Sequence, residues 1–253
     1  MRILNAIIIA FSTYSRLPMP QVAWTDENRR YSLCFFPLVG LAIGAALALW
    51  LCVCKWLSIG PLLQGAVGAL IPLLISGGIH MDGFMDTTDA LASWQPMEKK
   101  LEILKDSRVG AFAVMGCAGY LMLTCALLGE AAAKDAWALG CAFAASRAIS
   151  AYLSVRLRPA RRDGMLRDVS HNAPLRPVAL AGSAYLALCL IVWLVFSPLR
   201  ALLMGAAAAL TVLYYRRMAY RQFGGVTGDL AGWFSQMCEL CLIAAWVIGG
   251  KLL

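Results

Sequence analysis

The chain has 253 residues, 61% of them hydrophobic, a mean hydropathy of +0.72 and a formal net charge of +8. Soluble domains are about 45–50% apolar, so the composition excludes a water-soluble globular enzyme and points to an integral membrane protein. The positive residues sit in loops between apolar runs, the pattern that sets membrane topology, and no aromatic and basic residues interleave as they do on a nucleic-acid surface, so no nucleic-acid partner is expected.

Residues 1 to 20 hold an apolar run too short to span a bilayer, which needs about 20 residues. Arg2 and Arg16 flank it and Pro18 and Pro20 follow, so it reads as an interfacial helix stopped by the prolines. No cleavage site of the A-x-A kind follows, and no cleaved signal peptide is read. Seven apolar segments come next, at 33–54, 61–79, 109–129, 135–155, 178–196, 199–215 and 231–250. The segment 199–215 is short and forms either a span or one arm of a tight hairpin with 178–196 through Ser197-Pro198. The expected fold is therefore all-α, a polytopic membrane helix bundle of about seven transmembrane helices, one domain over residues 1–253. Small residues at Gly65, Ala66, Gly68 and Ala69, and from Gly205 to Ala209, would let helices approach closely. The nine cysteines lie mostly inside apolar runs and read as small buried hydrophobes. Cys238 and Cys241 have the spacing of a ligand pair but no second pair to complete it.

With the N-terminus inside, 17 Lys and Arg residues fall on the inner side and 4 on the outer side, with Arg147 inside a helix. That bias sets the orientation. It makes 80–108, 156–177 and 216–230 cytoplasmic loops and gives them a common active face.

The stretch from 76 to 110 is unlike the rest. His80, Asp82, Asp86 and Asp89 crowd together, with no Lys or Arg between Gly77 and Pro96. On a helix, the four- and three-residue spacings put the three carboxylates on one face, where they repel. A divalent cation between them would relieve that repulsion. Gly77-Gly78 just upstream can end a membrane helix and turn the backbone. Lys105, Asp106, Ser107 and Arg108 follow, the cations suited to phosphate and Asp106 a further carboxylate.

Arg147 lies within an apolar helix, where an ionisable group is costly and functional by default, and a guanidinium suits phosphate oxygens. Glu239, also within an apolar helix, needs a partner. Gly224-Gly225-Val226-Thr227-Gly228-Asp229 offers close backbone approach to a ligand, N–H groups for an anion and another carboxylate. The loop 156–177 carries six arginines with Asp163, Asp168 and His171, suited to a polyanion or to anionic lipid. Clustered carboxylates, cations and a membrane boundary amount to phosphoryl chemistry, in which Mg²⁺ bridges a pyrophosphate.

The run Gly77-Gly78-Ile79-His80-Met81-Asp82-Gly83-Phe84-Met85-Asp86-Thr87-Thr88-Asp89-Ala90 resembles the G-G-x-H-x-D-G-x-x-D-T-x-D-[GA] motif of cobalamin synthases, the adenosylcobinamide-GDP ribazoletransferases. Leu101 to Gly110 is similar to that family's L-E-I-M-K-D-S-R-[IV]-G. Ser146-Arg147 resembles its S-R pair. Gly225-Val226-Thr227-Gly228-Asp229 with Glu239-Leu240 resembles its G-x-T-G-D and E-L blocks, and Ser15-Arg16-Leu17-Pro18-Met19-Pro20 its N-terminal block. Phe84, Met85, Ala90 and Leu104 depart from the usual residues, none at a charged position.

The resemblance implies transfer of the adenosylcobinamide phosphate from adenosylcobinamide-GDP to a ribose hydroxyl of α-ribazole, or of its 5′-phosphate, with release of GMP. It implies Mg²⁺ and a cytoplasmic site in a bacterial inner membrane. The roles it suggests put Mg²⁺ on Asp82, Asp86 and Asp89, with Asp106 or Asp229 completing its shell. Arg108 and Arg147 would stabilise phosphate charge, and His80 is the candidate base. Lys105, Ser107, Thr227, Gly228 and Asp229 would bind substrate. Membrane lipid is a partner, and a homo-oligomer is compatible with the sequence.

Two rivals remain. A CDP-alcohol phosphotransferase also uses helix-borne aspartates, but its D-G-x-x-A-R start is absent, because Asp82-Gly83 is followed by Phe84-Met85-Asp86-Thr87. A transporter would put Arg147 and Glu239 on an ion path, yet the chain shows no inverted repeat.

Overall fold

The computed structural model describes residues 2–161 and 164–252; Arg162 and Asp163, counted in the basic loop, lie outside the described residues. The elements are α-helices α1 (Arg2–Tyr14), α2 (Asp26–Arg29), α3 (Ser32–Leu57), α4 (Pro61–Ser76), α5 (Ile79–Ala92), α6 (Met97–Ile103) and α7 (Ala111–Gly129), a 3₁₀ turn at Ala133–Asp135, then α8 (Ala136–Arg156), α9 (Met165–Ser170), α10 (Leu175–Phe196), α11 (Pro198–Phe223) and α12 (Gly228–Leu252). Among the described residues the only β pairing is an isolated bridge between Pro159 and Val226.

Six helices, α3, α7, α8, α10, α11 and α12, are long and apolar enough to cross a membrane. The pair α4 and α5, bent by 99° at its break, makes a seventh where it is counted as one span. The turn is made by Gly77 and Gly78, at φ +68° and +84°, a conformation only glycine adopts freely. The expected break is therefore present, and the acidic segment after it is a helix of its own.

Two boundaries differ from expectation. The N-terminal helix ends at Tyr14, before the prolines. The Arg16 N–H there donates to the carbonyl of Ile75 at the end of α4 (2.8 Å), so a tertiary bond directs the chain away. The last turns of α11 run on to Phe223, where 216 onward was expected to be loop. Ser197 caps its start through the Arg200 N–H, Pro198 takes the first position, and Gly224 ends it at φ +72°. Its basic end, with Arg216, Arg217 and Arg221, thus stands on a helix of 26 residues, about 39 Å long.

The bundle is built around α8. Of its most apolar window, 83% is buried, against 22% for α7, α10 and α11. Its run of Ala, Gly and Ser lets neighbours come to backbone contact. A Cβ on Gly44 of α3 would lie 2.4 Å from the Gly140 carbonyl oxygen, and one on Gly40 2.4 Å from that of Phe143. Gly65 meets the Cys125 carbonyl in the same way at 2.0 Å, so that small-residue cluster packs as expected. The run from Gly205 does not: a Cβ on Gly205 meets nothing within 4 Å, and Ala206 and Ala209 are exposed. Leu62, Leu74, Met122, Leu180 and Leu210 are exposed around the bundle, a surface suited to lipid.

Up-and-down packing gathers the C-terminal ends of α4, α8 and α11 with the N-terminal ends of α7 and α12 and with α5, α6 and α9. All the motif-bearing segments meet at that one end. At the opposite end Lys251 pairs with Glu130 and Arg200 with Asp135.

The glycine contacts can be tested directly. Gly44→Val should destabilise the bundle by about 1–3 kcal/mol through overpacking, while Gly205→Val should leave the thermal midpoint of the detergent-solubilised protein unchanged.

Candidate active site

The acidic face is made by two helices, not one. Gly83 of α5 and Gly232 of α12 let the backbones touch. A Cβ on Gly83 would lie 2.7 Å from the Asp229 carbonyl oxygen, and one on Gly232 3.0 Å from that of His80. The contact sets Asp82 beside Asp229, and both line a cavity of about 240 Å³. One turn further along α5, half-buried Asp86 has its pKa pushed up to about 7. Burial is the main cause, and the negative charges of Asp82, Asp229 and Asp89 add to it.

Asp89 is committed elsewhere. Its Oδ2 accepts from the Gly110 N–H (2.6 Å) and its Oδ1 from the Ala113 N–H (2.8 Å), so it caps the start of α7 from a neighbouring helix. Gly110 leaves room for it, since a Cβ there would sit 2.3 Å from Oδ2. Asp106 accepts from the Nε (3.0 Å) and Nη2 (2.7 Å) of Arg108 and from its backbone N–H (3.0 Å). Those bonds, the side-chain one foremost, hold its carboxyl down at about 2. Arg108 is 88% exposed, and Lys105 and Ser107 are exposed beside it. None of these four lines the cavity.

Arg147 is not on the cavity wall either. It is 1% exposed and bridges to Glu239, 0% exposed, with the Ser146 hydroxyl donating to the same carboxylate oxygen (3.2 Å) and Arg147 Nη1 donating to the Phe143 carbonyl (2.9 Å). The partner that Glu239 required is therefore Arg147. A guanidinium so enclosed is not free to clamp phosphate; it stands behind the wall, 5.8 Å from the Phe36 ring centre. His80 lies in front of it, packed between Tyr14 (ring centres 6.1 Å apart) and Phe36 (5.5 Å). Burial, and secondarily the charge of Arg147, lower its pKa to about 3, so the imidazole is neutral. On a continuous helix it would have faced away from Asp82; as the second residue of α5 it lines the same cavity.

The glycine-rich loop serves backbone packing more than anion binding. The Gly225 N–H donates to Ala219 and the Val226 N–H to Arg158, and Val226 accepts from the Ala160 N–H. A Cβ on Gly225 would lie 2.4 Å from the Arg158 carbonyl oxygen. Thr227 caps α12, its Oγ1 accepting from the Leu230 N–H (3.2 Å) and donating to Asp229 Oδ2 (3.3 Å). Thr227 and Gly228 line the cavity with Asp229.

The strapping of 158–160 to Val226 delivers what the sequence reading did not single out: Arg161 and Arg167 line the cavity, and the charge of Arg161 bears on Asp229. Arg161 is anchored by donating to the Leu101 carbonyl (2.8 Å). The available signal was only the arginine richness of that loop. Asp168 and His171 are exposed, the latter contacting Asn172.

Among the described residues no three His, Cys, Asp or Glu side chains come together closely enough to hold a metal ion as they stand. The site is an open acidic face, Asp82, Asp86 and Asp229, opposite two arginines.

A model of the family described as cobalamin-5-phosphate synthase matches residues 6–247. A relative in Lachnoclostridium phytofermentans named adenosylcobinamide-GDP ribazoletransferase is 39% identical, covering 98% of this chain and 95% of its own. Relatives of the same name in Desulfitobacterium hafniense and Listeria welshimeri are 33% and 30% identical, over 93% and 96% of this chain and 93% and 99% of theirs. No solved structure matches the chain.

Breaking the buried pair should cost about 3–5 kcal/mol, because the remaining charge is stranded, whereas replacing both partners by apolar residues is tolerated. Arg147→Met should therefore lower the thermal midpoint sharply, and Arg147→Met with Glu239→Leu should recover most of it.

Proposed function

The chain belongs to the cobalamin-5-phosphate synthase family, and from that premise we propose that it transfers the adenosylcobinamide phosphate of adenosylcobinamide-GDP to a ribose hydroxyl of α-ribazole or its 5′-phosphate. It is an enzyme, a transferase of cobalamin biosynthesis, built as a multi-pass membrane protein. The observation that carries the reading is the meeting of Asp82 and Asp229 with Arg161 and Arg167 on one cavity. Carboxylates for a cation and guanidinium groups for phosphate are the two halves of a pyrophosphate site.

The donor set suits Mg²⁺, which binds through one or two carboxylates and takes its other ligands from phosphate and water. An open pair with Asp86 alongside is such a set. Asp82 and Asp229 would hold the ion, with Asp86 alongside as a further negative charge, and the ion would supply neutralisation of charge on the pyrophosphate. Asp89, engaged at α7, takes the lesser part of that role, and Asp106 none.

The chain's own residues bind and orient. Arg161 and Arg167 take phosphate oxygens, and Lys105, Ser107 and Arg108 form an exposed rim that attracts the anionic donor. The acceptor hydroxyl oxygen bonds to the phosphorus nearer the cobinamide. The bond from that phosphorus to the bridging oxygen breaks, and GMP departs with that oxygen and the electron pair. His80 accepts a hydrogen bond from the attacking hydroxyl through its neutral imidazole. Its weak basicity suits orienting that hydroxyl more than retaining the proton, which passes to solvent. Burial keeps the imidazole neutral, and the charge of Arg147 behind it adds to that effect. The excess of Lys and Arg at the site-bearing end supports a cytoplasmic active face in a bacterial inner membrane, formed by 80–108, 156–177 and 216–230.

Membranes holding the protein, given adenosylcobinamide-GDP, α-ribazole and Mg²⁺, should release GMP; none from well-folded protein would sink the reading. Asp82→Asn should lower turnover by at least about 100-fold while insertion persists, in the range seen for loss of one electrostatic group. Arg161→Gln should raise the donor KM.

A further inference from the structure

The cavity has a second character besides its charged mouth. Tyr14, Leu33, Phe36 and Ile79 give it an apolar, aromatic wall. Set into that wall is Nε2 of His80, buried and without a partner among the described residues, and beside it lie the hydroxyls of Tyr14, Ser150 and Ser154, which make no hydrogen bond to a described residue. His80 is 5% exposed, Ser150 3% and Ser154 8%. Buried polar groups are nearly always paired, so a buried group without a partner is a place where a ligand can supply one. One buried orphan and three unengaged hydroxyls on the lining of one cavity describe a place where a polar ligand completes the bonding.

Their origins make the cluster rigid. Ser150 and Ser154 are one turn apart on α8, the most buried helix. Tyr14 ends α1, its ring 4.3 Å from that of Phe36. His80 is held between those two rings.

Hydroxyl and imidazole groups beside an aromatic wall are the partners of a ribose attached to a flat base. At about 240 Å³ the cavity is smaller than the usual drug-sized site of about 300–1,000 Å³. It admits one nucleoside and excludes a corrin macrocycle. Two nucleosides take part in the proposed reaction, and the wall separates them. Guanine carries donors and acceptors around its edge that need partners. With the ribose on Tyr14, Ser150, Ser154 and His80, the apolar wall of Leu33, Phe36 and Ile79 offers a base no hydrogen bonds, and the charged groups of the lining belong to the pyrophosphate. A base with an apolar edge loses nothing there.

Resting on the function proposed above, we infer that this cavity is the acceptor subsite, receiving a ribonucleoside with an apolar bicyclic base, with Tyr14, Ser150 and Ser154 its ribose-binding residues. The guanosine of the donor lies at the charged mouth, toward Arg161, Arg167 and the exposed rim, and does not enter the apolar end. This placement brings a ribose hydroxyl to the boundary between His80 and Asp82, where the phosphorus arrives.

The test uses the full-length protein in lipid nanodiscs and two readouts. Without donor, α-ribazole should bind saturably, and guanosine in excess should not displace it. In turnover, Tyr14→Phe and Ser150→Ala should each raise the KM for α-ribazole about tenfold and leave kcat and the donor KM within twofold, with unchanged thermal midpoints. Displacement by guanosine overturns the assignment, as does a rise in donor KM in place of acceptor KM, or wild-type values in both variants. Binding of α-ribazole that responds to these variants in a protein that releases no GMP would leave the subsite standing and remove the transferase reading. Release of GMP with an acceptor KM indifferent to both variants would do the reverse.

Discussion

Two glycines facing each other, Gly83 on α5 and Gly232 on α12, hold the acidic face together. A Cβ on Gly83 would force the backbones apart and one on Gly232 would press on the His80 carbonyl, so either would draw Asp82 from its place beside Asp229. The close approach has an electrostatic cost, because it brings like charges toward one another; burial first, and then those neighbouring charges, raise the pKa of Asp86. Such an arrangement is stable only if other contacts hold the helices. Asp89 supplies one by capping α7, and the buried bridge between Arg147 and Glu239 ties α8 to α12 a few turns below. The face is therefore held in place by contacts that lie outside it, as the proposed binding of a cation and a polyanion would require.

Arg147 illustrates how burial changes the meaning of a charged residue. An intramembrane arginine is either a ligand-binding group or half of a pair, and the sequence distinguishes these only if the partner can be found. Glu239 is 92 residues away on another helix. Once paired, neither charge is available to a moving ion, and the bridge acts as a fixed support for His80.

Much of the architecture was legible because apolar run length maps directly onto helix length in a bilayer. The seven segments, the break at Gly77-Gly78 and the shared end of the charged motifs were all visible in the residues. The α1 boundary was not, because a tertiary bond from Arg16 to Ile75 ends the helix before Pro18 does. The end of α11 was misplaced because hydropathy falls where the helix leaves the apolar zone, not where its backbone stops. Within the site, the carboxylates at helical spacing were readable, but not that Asp89 would be engaged by Gly110. Arg161 and Arg167 could not be picked from six arginines in one loop, since only the bridge from Pro159 to Val226 brings them to the cavity. That same bridge uses the N–H of Val226, which reading the loop as an anion cradle had left free.

The two halves of the site differ in how far they are enclosed, and that difference matches the two substrates proposed. The acidic face and its arginines are open, as a surface must be that meets a donor much larger than any cavity in the bundle. The Tyr14, Ser150 and Ser154 cluster is closed, as suits a small acceptor whose hydroxyl must be aimed. Orientation of one small reactant in a rigid pocket supplies effective concentration, while the large reactant needs only its pyrophosphate fixed. A membrane bundle provides both at once: α8, the most buried of the long helices, makes the rigid wall, and the helix ends that leave the apolar zone carry the charges.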